Sequence, residues 1–260
     1  MKVMGIVNVT PDSFSDGGLY LDAGKAISHG LSLVEDGADV LDIGGESTRP
    51  GAAEVTAEEE ISRVIPVIRG LAGTAPISID TTKASVAREA IAAGATTVND
   101  VSGLRADPEM ATVCSETGVD VVVMHMIGSP RTMQDDPRYD DVVSEVKGFL
   151  LAQVELAISA GIERERIWID PGIGFGKTVD HNLALLKATR EFADTGLPVL
   201  LGPSRKTFIG KIDGSKESHR LGGTIAACLE SRRGGAEMVR VHDVAPVAQA
   251  LRIADAIDEA

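Results

Sequence analysis

The amino-acid sequence repeats one unit, a short apolar run followed by a longer helical pattern, eight times in succession. The apolar runs are rich in Val and Ile and lack polar alternation, which is typical of parallel strands buried on both faces. We predict strands at Val3–Val9, Val40–Ile43, Ile77–Ile79, Thr97–Val98, Val119–Met124, Ile167–Ile169, Val199–Leu201 and Met238–Val241. Helices are predicted at residues 22–36, 57–72, 83–93, 108–117, 141–160, 180–193, 218–233 and 245–258. Eight such units without a linker predict an α/β fold, with residues 1–260 forming a single (β/α)8 barrel domain. An open doubly wound sheet is the alternative.

The composition limits the kinds of molecule that the chain could bind. The formal net charge of −14 argues against binding to nucleic acid or to an anionic membrane surface. No apolar run reaches the roughly 20 residues of a membrane span, and the first residues lack a signal-peptide pattern. Cys114 and Cys228 fall in predicted helices without a partner motif, so we expect free thiols. These features predict a cytoplasmic protein that acts on small molecules.

Every predicted strand has a polar or ionisable side chain at its end or directly after it. They are Asn8, Asp42, Asp80, Asn99, His125, Asp170, Ser204 with Arg205 and Lys206, and Arg240 with His242. In a (β/α)8 barrel the ends of the strands meet at one face, where active sites lie. The sequence therefore predicts a functional site built from these residues.

Carboxylates and amides form one part of this set. Asp80, Asn99 and Asp170 have no basic residue nearby in sequence, and they suit a flat ligand with adjacent N–H donors, such as a 2-aminopyrimidinone ring. Lys206 would donate to a ring oxygen or nitrogen. Asp42 either contacts the ligand or forms an ion pair within the barrel. His125 is either a site residue or a core histidine.

Cationic side chains form the other part. Arg49, Arg240 and His242 could gather round an anion, because the forked guanidinium of Arg matches phosphate. Asn8 could hold Mg²⁺ that is itself bridged to phosphates. Arg49 lies in a long glycine-rich loop, which favours a lid over a solvated surface charge.

Apolar residues in the same loops suggest a second pocket. Phe14, Pro50 and Phe175 either wall a site for an aromatic substrate or anchor their own loops. Asp170 begins the loop Asp-Pro-Gly-Ile-Gly-Phe-Gly-Lys-Thr, whose spacing fits neither a Walker A loop nor a dinucleotide-binding loop.

Taken together, these segments resemble dihydropteroate synthases, the pterin-binding barrel enzymes of the folate pathway that sulfonamide drugs inhibit. The matching residues are 4–18, 42–51, 79–81, 99–100, 124–126, 170–177, 204–206 and 240–243, in the order of the family. The resemblance implies that 6-hydroxymethyl-7,8-dihydropterin diphosphate is joined to p-aminobenzoate, giving 7,8-dihydropteroate and pyrophosphate. It also implies Mg²⁺ as cofactor and a homodimer.

The resemblance assigns roles to individual residues. It implies that the pterin contacts Asp80, Asn99, Asp170, Lys206 and Arg240. The diphosphate would contact Asn8, Arg49, Arg240 and His242, with Asn8 holding the Mg²⁺. The p-aminobenzoate would contact Phe14, Thr48, Arg49, Pro50, Phe175 and Lys206. Catalysis would fall to Arg49, Asp80, Asp170, Lys206, Arg240 and His242.

Two departures from the family pattern and two alternatives accompany this hypothesis. Many members carry a β-hairpin before the first strand, which begins here at Val3, and Pro203 stands where a small residue is expected. The alternatives are a methyltransferase relative, which transfers a methyl group from methyltetrahydrofolate to a corrinoid protein, and a catalytically idle paralogue that only binds pterins.

Overall fold

The computed structural model describes residues 1–10, 19–48, 54–129 and 132–260, with side chains of the first helix described from residue 23. Within these ranges eight strands pair in parallel. They are β1 (Lys2–Asn8), β2 (Val40–Gly44), β3 (Ile77–Asp80), β4 (Thr97–Asp100), β5 (Asp120–Met124), β6 (Ile167–Asp170), β7 (Leu200–Leu201) and β8 (Met238–Val241). The order β6-β5-β4-β3-β2-β1-β8-β7 runs round the sheet, and a parallel bridge between Ile169 and Val199 joins its two edges. The predicted barrel is confirmed.

Helices follow the strands and form the outer layer. They are α1 (Leu19–Glu35), α2 (Ala57–Leu71), α3 (Ala84–Ala93), α4 (Met110–Thr117), α5 (Val142–Ser159), α6 (Val179–Lys187), α7 (Thr189–Ala193), α8 (Thr207–Asp213), α9 (Leu221–Arg233) and α10 (Val244–Asp258). The helix predicted at 180–193 is two helices that meet at Ala188, and α8 was not predicted. Among the described residues, no helix has the length and apolar character needed to cross a membrane.

Alternate residues of each strand face opposite sides of the barrel wall. Outward side chains such as Leu41, Ile79 and Val239 pack against the helices in the main core, where Cys114 and Cys228 are also buried as free thiols. Inward side chains near the strand starts form a second apolar cluster that fills the lower barrel: Met4, Val40, Val122, Trp168, Leu200 and Met238. This plug gives the site above it a dry, packed base.

Further along the strands the inward positions become polar. Asp42, Asp80, Asn99 and Asp170 are all buried within their strands, two positions after inward apolar or small residues. The predicted strands ended before several of these residues, because a buried carboxylate breaks an apolar run. The polar side chains therefore belong to the rigid sheet and not to the loops that follow it.

Candidate active site

An ion-pair cluster occupies the centre of the barrel mouth. Arg240 Nε lies 2.5 Å from Asp42 Oδ2, and Arg240 Nη2 lies 2.8 Å from Asp80 Oδ2. Asn99 Nδ2 donates to the same Asp42 oxygen at 3.2 Å. Asp42 is fully buried, so the interpretation of this residue as a partner within the barrel holds. Arg240 thus joins the carboxylates of β2 and β3, so cationic and acidic residues of the predicted site meet in one cluster.

Burial makes the site carboxylates easy to protonate. It raises the pKa of Asp80 to about 7, although the nearby Arg240 opposes the change. It also raises the pKa of Asp170 to about 6, against the stabilising effect of the Gly172 N–H, which donates to Asp170 Oδ1 at 2.7 Å. A ligand that brings its own N–H donors would favour the ionised carboxylates.

The loop after β6 brings an aromatic ring under a lysine. Lys206 Nζ lies 4.1 Å from the centre of the Phe175 ring. Gly174 has φ +85°, and a Cβ added there would lie 2.9 Å from Lys206 Cδ. Its amide donates to Asn182 Oδ1 at 2.7 Å, and its carbonyl accepts from Gln134 Nε2 at 2.6 Å. The glycine thus allows the Lys206 side chain to lie directly on the loop.

A buried lysine that sequence analysis did not single out supports this loop from below. Lys177 is 4% exposed and donates to the Phe175 carbonyl at 2.9 Å. Its Nζ also lies 3.0 Å from His125 Nδ1. Burial lowers the pKa of Lys177 to about 7 and that of His125 to about 3. His125 is therefore a neutral core histidine, and the alternative site role is not what the contacts support.

Two further contacts hold the loops after β7 and β8 together. Ser204 Oγ lies 3.0 Å from His242 Nδ1 and accepts the His242 backbone N–H at 3.1 Å. Arg205 pairs with Asp243 through two hydrogen bonds of 2.9 and 2.6 Å. Burial, aided by Arg240, lowers the pKa of His242 to about 3, so this ring is neutral at physiological pH. Neither pairing was predicted, because each joins residues 38 positions apart.

The remaining predicted residues lie at the rim or outside the described part of the chain. Asn8, half-buried, ends β1 next to Gly44, where an added Cβ would lie 3.9 Å from Asn8 Oδ1 and 3.7 Å from Asp80 Oδ2. Thr48 is also half-buried. Phe14, Arg49 and Pro50 lie outside the described residues, so their predicted roles stay predictions.

The donor set at Asn8 is compatible with Mg²⁺. Among the described residues, no group of three or more His, Cys, Asp or Glu side chains could hold a metal ion. A cage built from protein side chains would need such a group. Mg²⁺ is commonly held by one or two protein oxygens together with water and substrate phosphates, and the Asn8 amide oxygen can serve as that protein ligand.

Fold and site together define a class of protein. A (β/α)8 barrel with buried carboxylates, an arginine and a lysine at the carboxyl ends of its strands is an enzyme scaffold for a small polar substrate. The particular family follows from comparison with known proteins.

A family model described as "Pterin binding enzyme" matches residues 4–242. The dihydropteroate synthase of Synechocystis sp. is 48% identical over 258 residues, which is 98% of this chain and 89% of the relative. A structure of the Xanthomonas albilineans dihydropteroate synthase with 4-aminobenzoic acid superposes with a TM-score of 0.94 at 48% identity, covering 100% of this chain and 93% of that one. Another structure of that enzyme, in complex with 7,8-dihydropteroate, gives 0.91 at 45% identity, covering 100% and 94%. The chain belongs to the dihydropteroate synthase family of pterin-binding enzymes, and it acts as a transferase in folate biosynthesis.

Proposed function

We propose that the barrel mouth binds 6-hydroxymethyl-7,8-dihydropterin diphosphate and p-aminobenzoate, and joins them into 7,8-dihydropteroate with release of pyrophosphate. The observation that carries this proposal is a cluster of buried polar side chains at the strand ends beside an aromatic ring and a lysine. Asp170 and Asn99 are buried at the ends of β6 and β4, while Lys206 lies over the Phe175 ring and close enough to Asp170 to act on its pKa. The related X. albilineans structures are complexes with 4-aminobenzoic acid and with 7,8-dihydropteroate.

The pterin ring would lie in the pocket with its amino and ring N–H groups toward the buried carboxylates. Asp170 accepts these donors, and Asn99 and Asp80 contact the neighbouring ring edge. Lys206 donates to the ring from the opposite side. Burial raises the pKa of both aspartates, and the N–H groups of the bound substrate would stabilise their ionised forms. The reaction needs that negative charge.

The diphosphate would lie toward β1 and β8. Arg240 has five N–H donors, and those not directed at Asp42 and Asp80 can reach a phosphate oxygen. A Ser204 hydroxyl that donates to His242 Nδ1 leaves the Nε2–H of the neutral ring free to donate to the anion. Asn8 would hold Mg²⁺, which neutralises charge on a departing diphosphate when bound. Arg49, which lies outside the described residues, is assigned to the diphosphate by the resemblance alone.

The p-aminobenzoate would lie on the Phe175 ring. Its carboxylate is attracted to Lys206, and Thr48 lies on the loop after β2 that borders the same mouth. Phe14, Arg49 and Pro50 are assigned here by the resemblance alone.

The reaction then needs few proton transfers from the protein. The C–O bond of the pterin methylene breaks, and its electron pair leaves with the diphosphate. The electron-rich ring delocalises the resulting positive charge, which the Asp80 and Asp170 carboxylates stabilise. The lone pair of the arylamine nitrogen forms the new C–N bond, and that nitrogen releases its proton to solvent.

The test is pyrophosphate release with the pterin diphosphate and Mg²⁺, with and without p-aminobenzoate. We expect release coupled to dihydropteroate formation, and Lys206→Ala to lower kcat/KM by about 100-fold or more because it removes a charged donor from both substrates. Lys211→Ala, an exposed lysine in α8, is the matched control. Tight pterin binding without pyrophosphate would instead support the idle paralogue, and methyl transfer to a corrinoid would support the other alternative.

We also propose that the chain works as a cytoplasmic homodimer. An apolar groove of about 410 Å³ lies between α6, α8 and α9, and it is lined by Leu183, Phe208, Ile209 and Ile212. Leu183 and Ile212 are 44% and 58% exposed. A second copy that presents the same face would cover both side chains through a two-fold interface, the commonest arrangement in soluble oligomers.

A further inference from the structure

A partly buried ion-pair network lies beside the mouth, and none of the roles proposed above uses it. Lys83 Nζ lies 2.5 Å from Glu46 Oε2 and 2.6 Å from Glu60 Oε2. The Glu60 side chain is fully buried, and its Oε1 has no hydrogen-bond partner. Burial alone would lower the pKa of Lys83, but hydrogen bonds to the two glutamates outweigh it and raise the pKa. The lysine is therefore a permanent cation between two carboxylates.

Glu46 joins the two described ends of the connection between β2 and α2. It follows β2 directly after Gly45, and its Oε1 accepts the backbone N–H of Val55 at 3.0 Å, just before α2. The preceding carbonyl, that of Gly45, accepts from Arg63 Nη1 at 2.7 Å. A Cβ at Gly45 would lie 2.8 Å from Val64 Cγ1, so the backbone lies directly against α2. One side chain thus fixes the spacing of both ends.

Lys83 ties this connection to the loop after β3. Its backbone N–H donates to Thr81 Oγ1 at 3.2 Å, and the Thr81 N–H donates to the Asn99 carbonyl at 3.1 Å. Asp80, a site residue, immediately precedes Thr81. The network therefore connects the segment that carries Thr48 to the strand ends that carry Asp80 and Asn99.

We infer that Glu46, Lys83 and Glu60 form a positioning network that fixes residues 45–48, which follow β2, relative to the strand ends, and so places Thr48 for the second substrate. The role of Thr48 rests on the proposed function. The Glu60 carboxylate of this network is fully buried, and a buried ion pair is weak evidence for stabilisation, since well-packed apolar residues stabilise a fold as well or better. A role in positioning Thr48 accounts for charged side chains that fold stability alone does not explain.

The first test measures the network without any activity. Hydrogen–deuterium exchange of a peptide containing Val55 is compared in the wild type, Glu46→Ala and Glu116→Ala. Glu116 is the matched control, since it pairs with Arg88 at 3.4 Å on the surface. We expect about tenfold faster exchange in Glu46→Ala alone. Glu46→Ala keeps the Lys83–Glu60 pair, which protects folding. Unchanged exchange would overturn the inference whether or not the chain is active.

The second test separates positioning from general stability. In Glu46→Ala and Lys83→Met we expect the KM for p-aminobenzoate to rise about tenfold, with pterin affinity within about twofold of wild type. Lys83→Arg should restore most of the loss, because the guanidinium can still bridge two carboxylates. Equal weakening of both substrates together with a lower Tm would mark a merely structural role and overturn the inference. A wild-type chain that releases no pyrophosphate would instead refute the proposed function, and the exchange result would still decide the network.

Discussion

Asp170 ends β6 with 5% of its surface exposed, and its carboxylate accepts the Gly172 N–H. The sequence alone points to Asp170, because a carboxylate follows an apolar run. It could not identify how Arg240 is used, because that side chain reaches Asp42 across 198 positions of sequence. Single positions reveal which chemical groups are present, while their pairing depends on the closed barrel.

The charge on Asp170 carries a cost to stability that depends on pH. Burial raises its pKa from 3.8 to about 6, so the folded chain binds this proton more tightly than the unfolded chain does. The stability that this proton contributes is complete below about pH 4 and is lost as the pH rises through about 6. We expect Asp170→Asn to raise the free energy of unfolding at pH 8 by about 1–3 kcal/mol. It should also weaken pterin binding about 100-fold.

Thermal unfolding of the wild type and Asp170→Asn at pH 4.5 and pH 8, with calorimetric titration of a pterin, provides the measurement. The gain in stability should shrink at pH 4.5, where the wild-type residue is protonated in the folded chain. A gain of the same size at both pH values would show that charge burial is not its cause.

At the scale of elements, side chains from neighbouring segments hold the loop after β6 in place. The Gly174 N–H donates to Asn182 Oδ1, Gln134 Nε2 donates to the Gly174 carbonyl, and Lys177 donates to the Phe175 carbonyl. The glycines of this loop were visible in the sequence, but their purpose was not, since spacing alone excludes a phosphate loop without showing that Lys206 lies against Gly174. The extra helix α8 was missed for a related reason: Gly210 lies inside it and hides the helical pattern.

We expect Gly174→Ala to lower kcat/KM at least tenfold while leaving the chain folded, because the added methyl displaces Lys206 from Phe175. Gly196→Ala is the matched control. It has a similar φ of +74°, and an added Cβ there meets nothing within 4 Å.

Both variants place alanine at positive φ, so both should lose about 1–2 kcal/mol of stability. Steady-state kinetics and denaturant unfolding of the pair separate the two effects. Equal activities in Gly174→Ala and Gly196→Ala would contradict the assigned contact.

At the scale of the whole molecule, the sequence specified the architecture well. Eight repeats of one pattern leave few topologies, and the strands predicted from apolar runs were found within one or two residues of their positions in the described chain. The proposed contact surface for a second copy, by contrast, could not be predicted from the sequence. Leu183 and Ile212 are far apart in sequence, and only the folded chain shows that α6 and α8 bring them to one groove.

We expect Ile212→Arg to convert a homodimer into monomers, because a charge would be buried in the proposed interface. Ile253→Arg is the control, since Ile253 is 59% exposed on α10, outside the groove, against 58% for Ile212. Sedimentation velocity over a range of concentrations measures the association state. A wild-type chain that stays monomeric, or an Ile212→Arg chain that still dimerises, would refute the interface.

The seam of the barrel has a consequence for ligands. Among the described residues, β6 and β7 are joined by the Ile169–Val199 bridge, whereas β5 and β6 share a register of four residue pairs. Asp170 lies on one side of this seam, and Lys206 follows the strand on the other side. A molecule held by both residues would span the part of the barrel wall with the fewest strand-pairing contacts. On the proposed function, the pterin would therefore add to the contacts that close the barrel, and an inhibitor bound to both residues would do the same.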